Sequence, residues 1–299
     1  MKRMIIFILI FCLCFGVFSS TAFCENTTEI SAEEFFRAGS DARDEGNYEK
    51  AMESFLSAAE LGDARALNSI ATLYVNGQGV EQSYEKAMEY YRLAAEQGNA
   101  AAFYNIALLY AYGWGVERSE EKADEYLQLA AYTKDPAVMN QIGQAYDMGW
   151  GVEQSYEKAM EYYLIAADLE DPTAFVNLGD LYLQGHGVEL SYEEALEYYH
   201  KAENMGSPYA PYMIGNMYEN GWGFEQSGEK AAEYYQLSAD LGVVKGLFRL
   251  GNLYENGLGV EQSYEKAVEY YRLAADRNDK DSIDSLNRLA EEGHYSPEE

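Results

Sequence analysis

The three tryptophans of this chain occupy the same place in a short segment, Gly-x-Gly, that recurs along the sequence. Trp114, Trp150 and Trp222 stand at x, which other copies fill with glutamine, histidine or leucine. Structure does not dictate a position that accepts such different side chains, and an exposed tryptophan often anchors an interface. We therefore predict a partner-binding rim made of these indoles. The alternative is that each ring folds onto its own helix pair.

A second set of aromatic, aliphatic and amide side chains lies just upstream of the glycine segments. Rings provide contact area and amides hydrogen-bond a peptide backbone, which suits recognition of a protein or peptide. Helical spacing and variation between copies predict that this set lines a groove, with packing against a neighbouring helix as the alternative. The set consists of Tyr104, Leu108, Tyr112, Val176, Tyr212, Asn216, Asn220, Phe248, Asn252 and Asn256.

Residue types that carry catalysis or bind metals form no recognisable site in the sequence. His186, His200 and His294 lack the spacing of metal ligands. The glycine pairs follow a helical pattern rather than a strand and precede no phosphate-binding lysine, which argues against a nucleotide loop. No serine or cysteine lies in a nucleophile turn. We predict no enzyme, cofactor or metal, although abundant carboxylates leave a catalytic glutamate pair open.

The elements that position these residues repeat at a fixed interval of 36 residues. Such a period is typical of a solenoid, in which identical small units bury one another's apolar faces. The recurring segments begin at Gly77, Gly113, Gly149, Gly185, Gly221 and Gly257.

Each unit has the pattern of two helices joined by the glycine segment. In the unit from Asp63 to Gly98, apolar residues recur at helical spacing before Gly77, and Asp63 is a suitable N-cap. Glycines permit a sharp turn, and Ser83 caps the second helix. Ala87 and its equivalents are identical in all six units. The pattern predicts an all-α protein of about fifteen helices without strands.

The unit boundaries divide the chain into an array with atypical ends. Residues 31–62 indicate an N-terminal helical hairpin, residues 279–293 a C-terminal capping helix, and residues 294–299 a disordered tail. Six full repeats are predicted at 63–98, 99–134, 135–170, 171–206, 207–242 and 243–278.

The N-terminal segment has the layout of a secretory signal peptide. Two basic residues precede a short apolar run and then small residues, which predicts residues 1–22 as the signal, with cleavage after Cys24 as the alternative. Export, periplasmic or secreted, follows, with no integral membrane span after processing. A lipid anchor on Cys24 is disfavoured by Phe23. All three cysteines lie in or next to this segment, so the repeats hold no disulfide.

The chain carries a formal net charge of −30. A strongly acidic surface repels nucleic acid and favours cationic partners or simple solubility. Acidic residues such as Glu85 and Glu89 recur at the equivalent positions of most units, which is typical of an exposed helix face.

The repeated residues resemble a known family. The pattern Ala-x-x-x-Leu-(Gly/Ala)-x-Leu-Tyr, then Gly-x-Gly-Val, then Tyr-Glu-Lys-Ala-x-Glu-Tyr-Tyr-x-x-Ala-Ala-x-x-Gly is similar to the Sel1-like repeat (SLR), a relative of the tetratricopeptide repeat. The resemblance covers about residues 63–278, whereas the hairpin before it resembles a plain tetratricopeptide unit. The family implies a right-handed α/α superhelix, and a role in protein–protein interaction.

These observations predict a non-enzymatic exported scaffold that binds a protein or peptide in the cell envelope or outside the cell, with a cationic partner favoured by the acidic charge. An envelope-glycan binding or assembly factor is one alternative, because aromatic rims can stack on sugar rings. A host-directed effector is the other. We expect no nucleic-acid partner.

Overall fold

The structure of the protein, a computed structural model, describes residues 31–296. The predicted signal peptide, residues 1–22, and the last residues of the predicted tail, 297–299, lie outside the described residues. The described part consists of fifteen α-helices and no strand, which confirms the predicted all-α solenoid. The helices are α1 Ala32–Asp44, α2 Tyr48–Glu60, α3 Ala64–Asn76, α4 Tyr84–Glu96, α5 Ala100–Tyr112, α6 Glu120–Tyr132, α7 Pro136–Met148, α8 Tyr156–Asp168, α9 Pro172–Gln184, α10 Tyr192–Asn204, α11 Tyr209–Asn220, α12 Gly228–Asp240, α13 Val244–Asn256, α14 Tyr264–Ala275 and α15 Lys280–Glu291.

Consecutive helices pack against one another along the whole described array. We number the six repeats units 1 to 6 in chain order, call the first helix of each unit helix A and call the second helix B. Helices α3 and α4 are therefore the A and B helices of unit 1, and α13 and α14 those of unit 6. Helices α1 and α2 form the N-terminal hairpin, and α15 covers the end of unit 6.

Local side-chain chemistry sets where the helices begin and end. The Asp63 carboxylate accepts the N–H of Arg65 at the start of α3, and the Ser83 hydroxyl accepts the N–H of Lys86 at the start of α4. Such caps satisfy N–H groups that the first turn of a helix leaves free. Helix α3 ends at Gly77, whose φ of 65° suits a residue without a Cβ atom.

A ladder of large side chains from the B helices fills the centre of the array. We call Tyr163, Tyr199, Tyr235 and Tyr271 the tyrosine ladder; all four rings are fully buried. Each ring packs against a glycine of the A helix in its own unit. A Cβ atom added at Gly215 would meet the Tyr235 ring at 2.7 Å. Glycine at this position therefore lets the two helices approach closely around the ring.

The C-terminal end closes the array more completely than its sequence pattern indicates. Leu289 of α15 is fully buried against unit 6, while Ile283 remains exposed. Two residues of the predicted disordered tail are packed. The ring of His294 stacks on Tyr264 at 3.8 Å, and the Tyr295 hydroxyl accepts a hydrogen bond from the Arg272 guanidinium at 3.0 Å. These contacts shield the last apolar face of the solenoid from water.

Candidate binding surface on the helix-A face

The A helices of neighbouring units form a continuous surface. The amide of Asn105 in α5 donates to the side-chain oxygen of Asn68 in α3 at 3.0 Å, and Asn177 in α9 donates to Asn140 in α7 at 2.8 Å. These bonds connect helix A of one unit directly to helix A of the next. We call the resulting surface the helix-A face. It is the surface on which the sequence places the predicted groove.

The tyrosine ladder supplies hydroxyl groups to the base of this face. The Tyr199 hydroxyl donates to the Asp180 carboxylate at 2.6 Å, and the Tyr271 hydroxyl lies 2.7 Å from the side-chain oxygens of both Asn252 and Glu255, one of which accepts its single proton. Burial raises the pKa of both phenols well above the ordinary value, so they stay neutral donors. Polar side chains of the A helices are thereby held in place by the core.

Three of the predicted groove residues are buried, which corrects the prediction of an open position for them. Tyr104 and Val176 are inside the core, at the position where consecutive A helices meet. Asn216 is buried too, because its side-chain oxygen accepts the Tyr235 hydroxyl at 2.8 Å. Their side chains join neighbouring units and shape the face from below. This is the packing that the sequence left open as the alternative.

Four further groove residues are half-buried on the helix-A face. Tyr212 lies against the ring of Tyr235, with 5.8 Å between ring centroids, and Phe248 lies against Tyr271 at 5.9 Å. Each therefore presents one side to solvent and covers a ladder tyrosine with the other. The two remaining half-buried members of the set are Leu108 and Asn252.

The last residues of the A helices are the exposed part of the predicted groove. Tyr112, Asn220 and Asn256 end their helices and are exposed. The amide nitrogen of Asn220 donates to the backbone oxygen of Asn216 at 2.8 Å, and Asn256 makes the same bond to Asn252. These bonds orient the amides at the edge of the face, next to the glycine segments.

The predicted tryptophan rim divides into stacked rings and one free ring. Trp114 stacks on Tyr84 of the preceding unit at 5.7 Å, and Trp222 stacks on Tyr192 in the same manner at 6.5 Å. The residue equivalent to Tyr84 in front of Trp150 is Glu120, so Trp150 has no ring to stack on. Among residues 31–296, the Trp150 indole makes no aromatic pair and is 48% exposed.

A cavity of about 250 Å³ opens between units 3 and 4, where the helix-A face meets the rim. Sequence reasoning had selected one of its residues, Trp150, and had missed the two carboxylates that line it, Asp147 and Asp180. The sequence shows an aspartate at each of these positions only here: other units hold valine, alanine, leucine or glutamate at the first position and threonine, leucine, glutamine or asparagine at the second. The remaining lining residues are Gln144, Met148, Gln154, Tyr156, Tyr163, Asn177, Leu181, Gln184 and His186.

The two carboxylates of this cavity are destabilised by burial. Burial raises the pKa of Asp180 to about 6, with the Tyr199 hydroxyl acting against the rise and the charge of Asp147 adding to it. Burial also raises the pKa of Asp147, which the hydroxyl of Tyr163 and the imidazole of His186 partly offset. The cavity thus holds two acidic groups that are only partly compensated. The ring of His186, which also lines the cavity, stacks on Tyr156 at 4.3 Å.

The part of the chain that the structure describes contains no cluster of side chains suited to a metal ion. Over the same residues, none of the helices has the length and apolar character required to span a bilayer.

Comparison with known proteins places this architecture in a family. The family model of the Sel1 repeat matches seven segments, at residues 36–63, 64–99, 100–132, 136–171, 176–207, 208–243 and 244–279. The first of these lies on the hairpin for which the sequence indicated a plain tetratricopeptide unit. The search of curated proteins gave no match.

Solved structures show the same fold. A protective antigen present in uropathogenic Escherichia coli strains, which displays an SLR fold, is 30% identical with a TM-score of 0.57 over 87% of this chain and 56% of the antigen. The chain therefore spans little more than half of that relative. A Sel1 repeat protein from Oxalobacter formigenes is 28% identical, with a TM-score of 0.63 over 83% of this chain and 100% of the relative. An immunity protein from Pseudomonas aeruginosa, at 21% identity and a TM-score of 0.54, covers 70% and 81% and shares the fold.

The fold and the helix-A face define an α-helical repeat solenoid of the kind that binds other proteins. The chain belongs to the Sel1 repeat family, whose members are generally protein-interaction scaffolds and typically non-catalytic.

Proposed function

We propose that this chain is a non-enzymatic exported scaffold that holds a protein or peptide partner on the helix-A face, in the cell envelope or outside the cell. The observation that carries the proposal is the contrast between constant and variable positions of the repeat. Core positions such as Ala87 are identical in every unit and fully buried. The residues that end the A helices change from unit to unit and are exposed at Tyr112, Asn220 and Asn256.

The chemistry of the face supports a protein partner. Amides at the edge of the face, such as Asn220, retain side-chain oxygens that can accept backbone N–H groups of an extended peptide. The half-buried rings of Tyr212 and Phe248 offer apolar surface that is already ordered by the ladder. Preordered aromatic and polar groups reduce the entropic cost of association. The net charge of −30 favours partners with basic segments.

Two observations support export. The first is the signal-like pattern of residues 1–22. The second is that a relative with 30% identity is a protective antigen, which is a protein that a host immune system encounters. A fusion of residues 1–30 to alkaline phosphatase tests export, because that enzyme is active only after it leaves the cytoplasm. We expect activity from this fusion and none from a matched fusion that lacks residues 1–22. Equal activity of both fusions would contradict export.

Site-specific photocrosslinking tests the partner surface. The crosslinker p-benzoyl-phenylalanine is placed at Asn220 on the helix-A face and, as a matched control, at Glu161, an exposed residue of helix B in unit 3. We expect a discrete protein adduct from the first position only, identified by mass spectrometry. Equal adducts from both positions, or retention of purified cell-wall polymer with no protein adduct, would contradict the proposal. The second outcome would favour the glycan alternative.

A further inference from the structure

At two places on the helix-A face, a carboxylate already binds a cationic side chain of the same protein. In unit 5 the Arg249 guanidinium of the next A helix lies 3.9 Å from Glu219. At the end of unit 6 the Arg288 guanidinium of α15 contacts both oxygens of Glu255, at 2.7 and 2.9 Å. In both places a carboxylate on helix A pairs with an arginine of the next helix but one, α13 in the first case and α15 in the second. The Tyr235 and Tyr271 hydroxyls bond the same two carboxylates from below.

The equivalent place between units 3 and 4 has the carboxylate but no arginine. Asp147 stands two repeats before Glu219, and Asn177 stands two repeats before Arg249. The Asn177 amide is engaged with Asn140 at 2.8 Å. Among residues 31–296, neither Asp147 nor Asp180 forms an ion pair with a lysine or arginine. Where the arginine would stand, the structure has the cavity of about 250 Å³.

The walls of this cavity fit the rest of an arginine side chain. The indole of Trp150 is part of the cavity lining. A planar guanidinium stacks on aromatic rings while its N–H groups reach carboxylates. Met148 and Leu181 give apolar surface for the methylene stem. The volume lies below the range of roughly 300–1,000 Å³ that is usual for drug-sized ligands, which favours a single side chain.

We propose that the cavity between units 3 and 4 accepts one arginine side chain of the bound partner. The guanidinium takes the place that Arg249 and Arg288 occupy in later units, pairs with Asp147 and Asp180, and stacks on Trp150. This inference rests on the proposed function, since it names the chemistry by which the helix-A face recognises its partner. Arginine is preferred to lysine because only its planar fork serves two carboxylates and an indole together.

A small probe tests the pocket without knowledge of the partner. Nα-acetyl-arginine N-methylamide is titrated into the full chain carrying Trp114→Phe and Trp222→Phe, so that Trp150 alone reports by fluorescence. We expect a saturable change with this probe and none with the citrulline analogue, which has the same shape and no charge. The same response to both probes, or no response to the arginine probe, would overturn the proposal.

Charge-matched variants separate the pocket from the general acidity of the chain. Asp147→Asn with Asp180→Asn should weaken probe binding at least about tenfold, because charge-assisted hydrogen bonds are lost. Glu161→Gln with Asp168→Asn removes two exposed carboxylates of α8 and should leave binding unchanged. Equal weakening by both pairs, with circular dichroism showing both folded, would mean that non-specific attraction accounts for binding.

A variant that places an arginine of the chain itself in the pocket provides a further test, because this arginine should prevent the probe from binding. Asn177→Arg places a guanidinium at the position equivalent to Arg249, so it should pair with Asp147 and block the probe. Arg249→Asn should free the matching place beside Glu219. Probe binding by the Asn177→Arg chain at wild-type strength would overturn the proposal. If the probe binds as expected but the crosslinker at Asn220 yields no protein adduct, the arginine pocket is supported and the proposed function is contradicted. If Asn220 yields an adduct but the probe does not bind, the scaffold function is supported and the arginine pocket is contradicted.

Discussion

Units 5 and 6 and units 3 and 4 build the helix-A face from the same backbone and the same tyrosine ladder, but they treat charge differently. In the later units, Glu219 and Glu255 each pair with an arginine of the next helix but one. In the earlier units, Asp147 and Asp180 share a cavity, and no lysine or arginine of residues 31–296 pairs with either of them. The carboxylates of the later units therefore form ion pairs within the array and help to hold it together. The earlier units hold two half-buried carboxylates that a cation from outside the chain can stabilise.

The largest expected effect comes from removing the arginine of the ion pair at the end of unit 6. Arg288→Met removes the partner of Glu255, whose side chain is only 10% exposed. We expect a loss of about 2 kcal/mol in the free energy of unfolding, since a poorly solvated carboxylate is left without its cation. Urea unfolding followed by circular dichroism measures it. Arg118→Met, which removes an exposed pair with Glu120, is the control and should cost less than about 0.5 kcal/mol.

Removal of a carboxylate from the cavity between units 3 and 4 should raise the free energy of unfolding rather than lower it. Asp180→Asn introduces the residue that later units already use at this position, Asn216 and Asn252. The pKa of Asp180 is raised to about 6, whereas an aspartate of the unfolded chain titrates near about 4. The ionised form therefore lowers stability above about pH 4, and the full cost is reached above about pH 6. We expect Asp180→Asn to raise the free energy of unfolding by about 1–2 kcal/mol at pH 7.5, with part of the gain remaining at about pH 5 and the gain lost near about pH 4. A pH series of urea unfolding curves checks this, and destabilisation at pH 7.5 would contradict it.

A smaller effect tests the link between the ladder and the cavity. Tyr199→Phe removes the hydroxyl that donates to Asp180 at 2.6 Å. We expect a loss of about 1 kcal/mol in stability and a further rise in the pKa of Asp180, because this bond favours its ionised form. NMR titration of the carboxyl carbon measures the pKa. Tyr198→Phe on the same helix is the control and should leave the Asp180 titration in place.

The smallest energetic effect concerns the rim. Trp150→Phe should change stability by less than about 0.5 kcal/mol, since the exposed indole stacks on no ring in the part of the chain that the structure describes. Trp114→Phe should cost more, because Trp114 stacks on Tyr84 and on Tyr112. Acrylamide quenching of chains with a single tryptophan checks the same difference, with Trp150 quenched more strongly than Trp114. Equal quenching of the two would remove the distinction between free and stacked rings.

Much of the fold follows from local sequence signals. Ser83 and its equivalents were expected to cap the B helices, and Gly77 was expected to end helix A; both expectations are confirmed. These signals are local because a cap or a turn involves only neighbouring residues of the chain. The candidate site was less accessible to sequence reasoning. Tyr104 and Tyr112 lie on one helix face eight residues apart, yet the first is buried and the second exposed.

The repeated sequence by itself determined the period, the helix pairs, the glycine turns and which residues belong to the array, because each of these depends on spacing within one unit. Only the tertiary structure decided which variable side chains remain free. Asp147 and Asp180 belong to different units and share a cavity because α7 and α9 lie side by side. Trp150 has no stacking partner within residues 31–296, because Glu120 stands where the stacked tryptophans meet a tyrosine of the preceding unit. Contacts between units depend on two sequence positions at once, so the pattern of a single repeat does not reveal them.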